Sequence, residues 1–280
     1  VDAFSLMDLT LTNDGSITVY GNAYAIDLAG IYAVSQYGDT SVINNGAIDV
    51  RNRYGDAYGI ISASAYGDAS ATNTGNIVSA SLYYDAHVML VVAQYGDTSA
   101  INSGDILAYS RYGTATGVAA VAPFGDVTIS NEQYGTVLAQ SVLGDAVGIS
   151  AQSFTGDVSV DNEGAITALA NYDATGIAAS SIYGAVDVTN SGYVIAESAY
   201  GTAIGISAAS VYSDVSVDNS GDINATTTYG GLAAGIFAQS TYGDVSITGS
   251  GGVITATNTY SSAVGILATS TYGDVGIDTS

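Results

Sequence analysis

An aspartate returns along the whole chain at steps close to 29 residues, and this row of carboxylates is the first group that could do chemistry. After Asp8 the copies are Asp39, Asp68, Asp97, Asp126, Asp157, Asp214, Asp244 and Asp274, with Ala185 in this position once. Like charges about 5 Å apart repel by roughly 1 kcal/mol in water, so a stacked row needs an offsetting interaction. Each carboxylate either accepts backbone N–H groups in its turn or shares a hard cation such as Ca²⁺ with its neighbours. We predict turn capping and keep Ca²⁺ along the row as the alternative.

The basic residues form a second candidate site, because they all fall within one stretch of the chain. The candidate binding residues are Arg51, Arg53, His87, Tyr109 and Arg111. Arg53 and Arg111 take the same outward position two repeats apart, and arginine beside exposed aromatic rings can bind sugars or acidic groups. The alternative to ligand binding is that these arginines form ion pairs with Asp56 and Asp85 on a solvated surface. His87 replaces Tyr58 of the preceding repeat, so we expect it to be exposed, and a lone histidine is a poor metal site.

Two other patterns are weaker candidates. Two extra residues enter after Asn131, and Glu132 in this irregular coil could pair with Glu163, as carboxylates do in glycoside-cleaving enzymes. Paired acids are expected by chance in so acidic a chain, and the only histidine lies in no recognisable serine or aspartate motif. An outward hydroxyl row comprises Thr10, Ser41, Ser70, Ser99, Thr128, Ser159, Ser216 and Ser246, interrupted by Asp187. Its irregular neighbours argue against a crystal-binding plane, and we predict that the chain is not an enzyme.

These side chains are carried by a repeat that runs from one end of the chain to the other. In its first clear copy an aliphatic residue leads three others at steps of two: Ile31, Ala33, Ser35 and Tyr37. The leading residue recurs at Ile60, Met89, Val118, Ile149, Ile177, Ile206, Ile236 and Ile266. Self-similarity at a fixed period predicts a solenoid.

Each repeat reads as three short strands separated by glycine, asparagine and aspartate corners. In one copy Val158 and Val160 alternate with polar residues, Ile166 and Ala168 follow, and a third run begins at Ile177. No segment has the length or period of a returning helix, so equivalent strands must stack directly. We therefore predict an all-β parallel β-helix of about nine coils of about 29 residues. Residues 1–280 form one β-solenoid domain, which we expect to be a segment of a longer repeat array.

Other positions also repeat as columns, which we assign to stability. One corner carries Asn13, Asn44, Asn73, Asn102, Asn131, Asn162, Asn190 and Asn219, followed by Thr248. One aromatic column comprises Tyr37, Tyr66, Tyr95, Phe124, Tyr183, Tyr212, Tyr242 and Tyr272, interrupted by Thr155. Another comprises Tyr54, Tyr83, Tyr112, Tyr200 and Tyr260, with Leu143 in the same position and with Tyr172 and Tyr229 displaced by one-residue shifts. Stacked amides can bond from coil to coil, and stacked rings add about 0.5–1.5 kcal/mol per pair.

Composition excludes several classes of partner. The 280 residues carry 26 acidic groups against three arginines, for a net charge of −23. Nucleic acids and anionic membranes both need basic patches, so we expect neither as a partner. The chain has no cysteine, which excludes disulfides and thiolate metal sites. Its apolar runs are too short to span a bilayer, so we expect no membrane insertion of this segment.

The recurring Gly-Asp-Val-Ser-Val-Asp-Asn-x-Gly-x-Ile-x-Ala, followed by Tyr-Gly-x-Ala-x-Gly-Ile-x-Ala-x-Ser, resembles a known family. It is similar to repeats in the β-solenoid passenger regions of bacterial autotransporters and related haemagglutinin-like surface proteins. The resemblance implies secretion and display on the bacterial cell surface, with work in adhesion, aggregation or matrix building. We thus expect a non-enzymatic structural or adhesive protein that needs no cofactor and whose partners are copies of itself, its longer parent chain or cell-surface glycans. The alternative is a β-helix that binds or cleaves polysaccharide.

Overall fold

The computed structural model describes residues 1–24 and 26–279, and successive coils stack in it as three parallel sheets. The first sheet contains β2 (Leu9–Asn13), β5 (Thr40–Asn44), β8 (Ala69–Asn73), β11 (Thr98–Asn102), β14 (Val127–Asn131), β17 (Val158–Asn162), β20 (Val186–Asn190), β23 (Val215–Asn219), β26 (Val245–Thr248) and β29 (Val275–Asp278). The second contains β3 (Ser16–Gly21), β6 (Ala47–Asn52), β9 (Ile77–Ser81), β12 (Asp105–Ser110), β15 (Thr136–Ser141), β18 (Ala165–Ala170), β21 (Tyr193–Ser198), β24 (Ile223–Thr227) and β27 (Ile254–Asn258). The third contains β1 (Asp2–Ser5), β4 (Leu28–Ser35), β7 (Ala57–Ser64), β10 (Ala86–Ala93), β13 (Ala115–Ala122), β16 (Ala146–Ser153), β19 (Ala174–Ser180), β22 (Ala203–Ala209), β25 (Leu232–Ser240) and β28 (Ser262–Ser270).

The predicted all-β parallel β-helix with three strands per coil is confirmed. Every strand pair is parallel, and equivalent residues pair in register, as Asn73 does with Asn102. The inward rows are almost entirely isoleucine, valine and alanine, and Ile149, Ile166 and Val158 are at most 1% exposed. Burying such a side chain is worth about 1.5–3 kcal/mol. The interior is therefore a narrow apolar column that runs the length of the rod.

The asparagine column forms a continuous ladder of side-chain hydrogen bonds. Asn73 donates its amide to Asn102 Oδ1 at 2.9 Å, and Asn102 donates to Asn131 Oδ1 at 2.9 Å. The same amide of Asn102 also donates to the carbonyl oxygen of Gly104 at 3.0 Å, within its own turn. Each buried amide thereby closes its own corner and joins it to the next coil, which confirms the predicted stacking.

Glycine follows the asparagine two residues later because the coils approach too closely there for a side chain. A Cβ added to Gly104 would lie 2.1 Å from the carbonyl oxygen of Gly75 in the preceding coil. The same conflict recurs at Gly75, whose added Cβ would lie 1.9 Å from the oxygen of Gly46. This corner therefore accepts no Cβ without moving backbone.

The corner between the third and first sheets is closed by buried serines. Ser64 Oγ donates to the carbonyl oxygen of Gly38 at 2.8 Å and accepts the N–H of Gly67 at 2.9 Å. One hydroxyl thus satisfies a carbonyl of the preceding coil and an amide of its own turn. Ser153, Ser181, Ser240 and Ser270 make the same pair of bonds at their corners.

The aromatic columns are stacked rings on the outer surface, as predicted. Tyr212 and Tyr242 lie 5.1 Å apart at 1° between ring planes. Phe154 makes an edge-on contact with Tyr183 beside the interruption at Thr155. Tyr229 stacks between Tyr200 and Tyr260, so its ring stays in the predicted column although its position in the sequence is shifted by one residue.

Candidate functional site

The aspartate row lies at the corner where the third strands end and the first strands begin. Asp39 Oδ1 accepts the backbone N–H of Asp68 at 2.9 Å, and Asp68 Oδ1 accepts that of Asp97 at 2.9 Å. Asp157 likewise accepts the N–H of Ala185 at 2.8 Å. Every carboxylate of the row before Asp274 caps the turn of the next coil in this way, so the structure supplies the backbone donors that the turn-capping interpretation requires. A groove of about 670 Å³ runs beside the first five of these residues and the outward hydroxyl row.

A second carboxylate row was missed in the sequence. Asp27 Oδ1 accepts the N–H of Asp56 at 2.9 Å, and Asp56 Oδ1 accepts that of Asp85 at 3.0 Å. Asp85 in turn accepts the N–H of Thr114 at 2.7 Å. The row lies where the second strands give way to the third. Its spacing of 29 residues was visible in the sequence, but the row is interrupted more often than the first one.

We expect the stability of the fold to be indifferent to chelation of Ca²⁺. The carboxylates already have backbone partners, so added divalent cations should act on the row only by screening its charge. Chelator treatment should leave the thermal midpoint unchanged, and Ca²⁺ and Mg²⁺ at equal ionic strength should raise it equally. A midpoint that falls by many degrees on chelation, or that Ca²⁺ alone restores, would instead establish ordered Ca²⁺ sites, since Ca²⁺ and Mg²⁺ differ in ligand number and geometry.

The arginines lie together on the outer edge of the second sheet. Arg51 follows Tyr20 in one outward row, with Ala80 and then Tyr109 in the next two coils. The backbone bonds of the adjoining corner place Arg53, Leu82 and Arg111 in successive coils. We call the set Tyr20, Arg51, Arg53, Leu82, Tyr109 and Arg111, with the adjacent rings of Tyr54, Tyr83 and Tyr112, the basic–aromatic patch. The structure therefore brings together four of the five predicted binding residues.

The partner predicted for the arginines was wrong. Arg51 Nε donates to Asp49 Oδ1 at 2.9 Å, two residues back on the same strand. The hydrogen bond and charge of Asp49 raise the pKa of Arg51. Arg53 and Arg111 lie over the rings of their own neighbours, with Cζ 5.0 Å from the centroid of Tyr54 and 5.5 Å from that of Tyr112. Asp56 and Asp85 are occupied in their own carboxylate row.

Stacked tyrosines give the basic–aromatic patch a flat ring surface. Tyr54, Tyr83 and Tyr112 stack at centroid separations of 5.3 Å, and Tyr24 continues the stack at 4.2 Å from Tyr54. A depression of about 480 Å³ lies beside this tyrosine stack. It is lined by Tyr20, Gly21, Asn22, Arg51, Asn52, Arg53 and Leu82. Guanidinium groups at the edge of aromatic faces can hydrogen-bond a ligand whose ring packs on the tyrosines.

His87 does not belong to the patch, and the prediction that it is exposed was wrong. It lies across the corner on the third sheet, where its ring stacks on Tyr58 at 5.2 Å and 11°. Its Nδ1 is buried and has no hydrogen-bond partner. Burial lowers the pKa of His87, opposed by the carboxylates of Asp85 and Asp56. Burial also raises the pKa of Tyr58, whose hydroxyl donates to Asp56 at 3.1 Å.

We expect His87 to make the fold sensitive to mild acid. The unfolded chain takes up this proton near pH 6.5, whereas the folded chain resists it. The stability that His87 contributes to the folded chain is therefore complete above about pH 6.5. It is lost as the pH falls from there to the pKa of His87 in the folded chain. Since the chain has one histidine, a single imidazole resonance reports its titration by NMR. The His87→Tyr variant, which copies Tyr58, should lack this part of the pH dependence of stability. An imidazole resonance that titrates with a midpoint at or above about pH 6.5 in the folded chain would contradict the argument.

The carboxylate pair proposed for cleavage is not joined to the arginines. The insertion after Asn131 is present, since Gly135 donates its N–H to the carbonyl oxygen of Glu132 at 2.7 Å to close a wider turn. Glu132 and Glu163 lie in adjacent coils and are exposed. Both glutamates lie before the first residue of a second-sheet strand, whereas the arginines lie at the last residues of such strands or just after them. At about 3.3 Å per residue this separates the glutamates from the arginines by roughly 20 Å. Cooperation between these carboxylates and an arginine is thus not supported by this arrangement.

The fold and its surface rows define the chain as a β-solenoid with tandem repeats. Among residues 1–24 and 26–279 no group of three or more histidine, cysteine or acidic side chains is placed to hold a metal ion. No helix in the part of the chain that the structure describes has the length and hydropathy of a membrane span. No protein-family model matches the sequence, and no significant match was found among curated proteins or solved structures.

Proposed function

We propose that this chain is a non-enzymatic structural or adhesive β-solenoid that works outside the bacterial cell or on its surface. The observation that supports this best is the repetition of outward side chains in register from coil to coil. Most coils present a hydroxyl, a carboxylate and a ring at the same positions as their neighbours, about 4.8 Å further along the axis. Many weak identical contacts on a rigid rod bind strongly together, which suits adhesion or assembly and needs no cofactor.

Two measurements test this proposal. Electron microscopy of the purified protein should show laterally associated or aggregated rods, and labelled protein should bind cells or glycan-coated surfaces. The binding should weaken steeply when the number of coils is reduced, since polyvalent attachment depends on the number of contacts made together. Dispersed monomers that bind neither cells nor glycans would contradict it.

A second function is favoured by the basic–aromatic patch, namely binding of a polysaccharide. Arg53 and Arg111 stand about 10 Å apart, two coils along the axis, and each lies over a ring of the continuous stack of Tyr54, Tyr83 and Tyr112. This arrangement suits an extended chain of sugar rings lying along the axis, with its acidic or hydroxyl groups at the guanidinium groups. The patch is the most basic surface of a chain whose three arginines all lie within it.

A glycan-binding measurement with matched variants tests this second function. The Arg53→Gln/Arg111→Gln double variant should weaken binding by roughly 100-fold or more if two charge-assisted bonds of about 1.5–3 kcal/mol each are lost. The Glu132→Gln variant is the control, since it removes one charge from a distant corner. Release of reducing ends that Glu132→Gln abolishes would instead support cleavage and contradict the non-enzymatic proposal.

A further inference from the structure

The third sheet differs from the other two in carrying almost no charge. Asp2 in β1 is its single charged residue, and β4, β7, β10 and β13 contain none. The chain as a whole has a net charge of −23, and its acidic rows line both long edges of this sheet. On so acidic a protein, a broad uncharged face is a surface on which two copies can meet without bringing like charges face to face.

Two outward rows of this sheet are apolar over four successive coils, beside a third row that contains Tyr58, His87 and Thr116. In β10, Met89 and Val91 point into the core and are fully buried, whereas Leu90 and Val92 face outward and are half-buried. The row of Leu90 continues from Tyr32 through Ile61, and the row of Val92 continues from Val34 to Val121. We call the outward residues Tyr32, Val34, Ile61, Leu90, Val92 and Val121 the apolar face.

The same rows carry polar residues at several of the equivalent positions in the following coils. Leu90 corresponds in register to Ser150 and Val92 to Gln152, two coils away. Ser180 and Ser207 are further polar residues of these rows. They alternate with Ala178 and Ala209, and Phe237 and Leu267 are apolar again in the last two coils. The fold thus accepts serine and glutamine at these positions, so the apolar residues of the earlier coils are not needed for folding.

We propose that the apolar face is where a second copy of this chain docks, sheet against sheet. The inference rests on the proposed structural and adhesive function and assigns its self-association to one surface. Four strands of eight residues cover about 500 Å² and the whole sheet about 1,200 Å², whereas a stable interface takes about 800 Å² from each partner. The dimer therefore uses the apolar face as its dry centre and part of the serine and glutamine rows as its polar rim.

The acidic rows at the edges give this dimer a recognisable dependence on salt. Apolar contact does not need charge, while the flanking carboxylates of two copies repel each other across the interface. The screening length falls from about 30 Å at 0.01 M salt to about 3 Å at 1 M, so association should strengthen as salt is added. A contact made by ion pairs would weaken instead.

Sedimentation equilibrium of the whole chain at both salt concentrations is the test. The wild-type chain should form a dimer that tightens at high salt. The Leu90→Ser/Val92→Gln double variant copies the natural residues Ser150 and Gln152, and it should raise the dimer dissociation constant by roughly 100-fold or more, since two side chains change on each copy. Val92→Gln and Ser180→Gln form a matched pair in one row, of which only the first should weaken the dimer.

The outcomes separate this inference from the broader proposal. Circular dichroism must show that each variant has folded, which the natural residues at Ser150 and Gln152 lead us to expect. A wild-type chain that is monomeric at all salt concentrations, or a double variant that dimerises as tightly as the wild type, overturns the docking face. If the double variant dimerises as tightly as the wild type and also adheres to cells or forms aggregates, the structural or adhesive function stands while the assignment of the dimer to the apolar face fails.

Discussion

Replacing Gly104 by alanine should unfold the coils around it or lower the stability by at least about 3 kcal/mol, the upper end of what a single substitution usually costs. The added Cβ would lie 2.1 Å from the carbonyl oxygen of Gly75 and 2.8 Å from the backbone carbon of Thr74. Both are main-chain atoms held in the stack, so no flexible side chain can move aside. Chemical denaturation and native-state hydrogen exchange of the neighbouring amides would measure the loss.

Gly265→Ala is the matched control, because nothing lies within 4 Å of the Cβ that it would add. Its backbone is not in the left-handed region, so the substitution carries no conformational strain. We expect a change of no more than about 0.5 kcal/mol there. Equal effects at Gly104 and Gly265 would show that contact with the preceding coil is not what selects glycine.

Replacing Asn102 by alanine should lower the stability by about 3–5 kcal/mol and concentrate the damage in its own and adjacent coils. The substitution removes the bonds to Asn73, Asn131 and Gly104. It leaves Asn131 Oδ1 without its donor in a site that is 0% exposed, and each orphaned buried group costs about 1–3 kcal/mol. A small cavity adds to this. Hydrogen exchange should accelerate most at the corners on either side of residue 102.

Asn45→Ala is the control for the ladder. Its amide donates to Asp14 at 2.8 Å on the exposed side of the same corner, where water can replace the lost bond. We expect an effect below about 0.5 kcal/mol. Because coils contact mostly their neighbours, damage at Asn102 should also fade within a few coils. A uniform loss of protection along the rod would indicate a single cooperative unit instead.

The fold was predictable from the sequence because its determinants are local and repeated. Alternation at steps of two identifies the strands, and the recurring asparagine and glycine corners set the register. Once Asn73 and Asn102 are aligned, each residue between them has its neighbour fixed in the next coil. The insertion after Asn131 was also readable as two residues beyond the period. These features need no long-range information.

The contacts of individual outward side chains were harder to predict. Arg51 was expected to reach Asp56 or Asp85, yet period-two alternation places Asp49 beside it on the same face of the strand. His87 was expected to be exposed because it replaces an outward tyrosine, but its smaller ring lies against the face of Tyr58. Burial on the surface of a sheet depends on the size of the flanking side chains, which the repeat pattern does not encode.

The ladder of asparagine amides also determines how such a rod would respond to force. Its bonds run along the axis, as do the backbone bonds between coils. Tension applied to the ends of the rod is therefore carried by all the junctions between coils in series, and they fail one at a time. Each junction that fails releases a single coil of about 29 residues, or roughly 100 Å of extended chain. The rod would therefore lengthen in nearly equal steps while its remaining coils stay folded. Stepwise lengthening dissipates the work of a sudden pull before the whole rod unfolds.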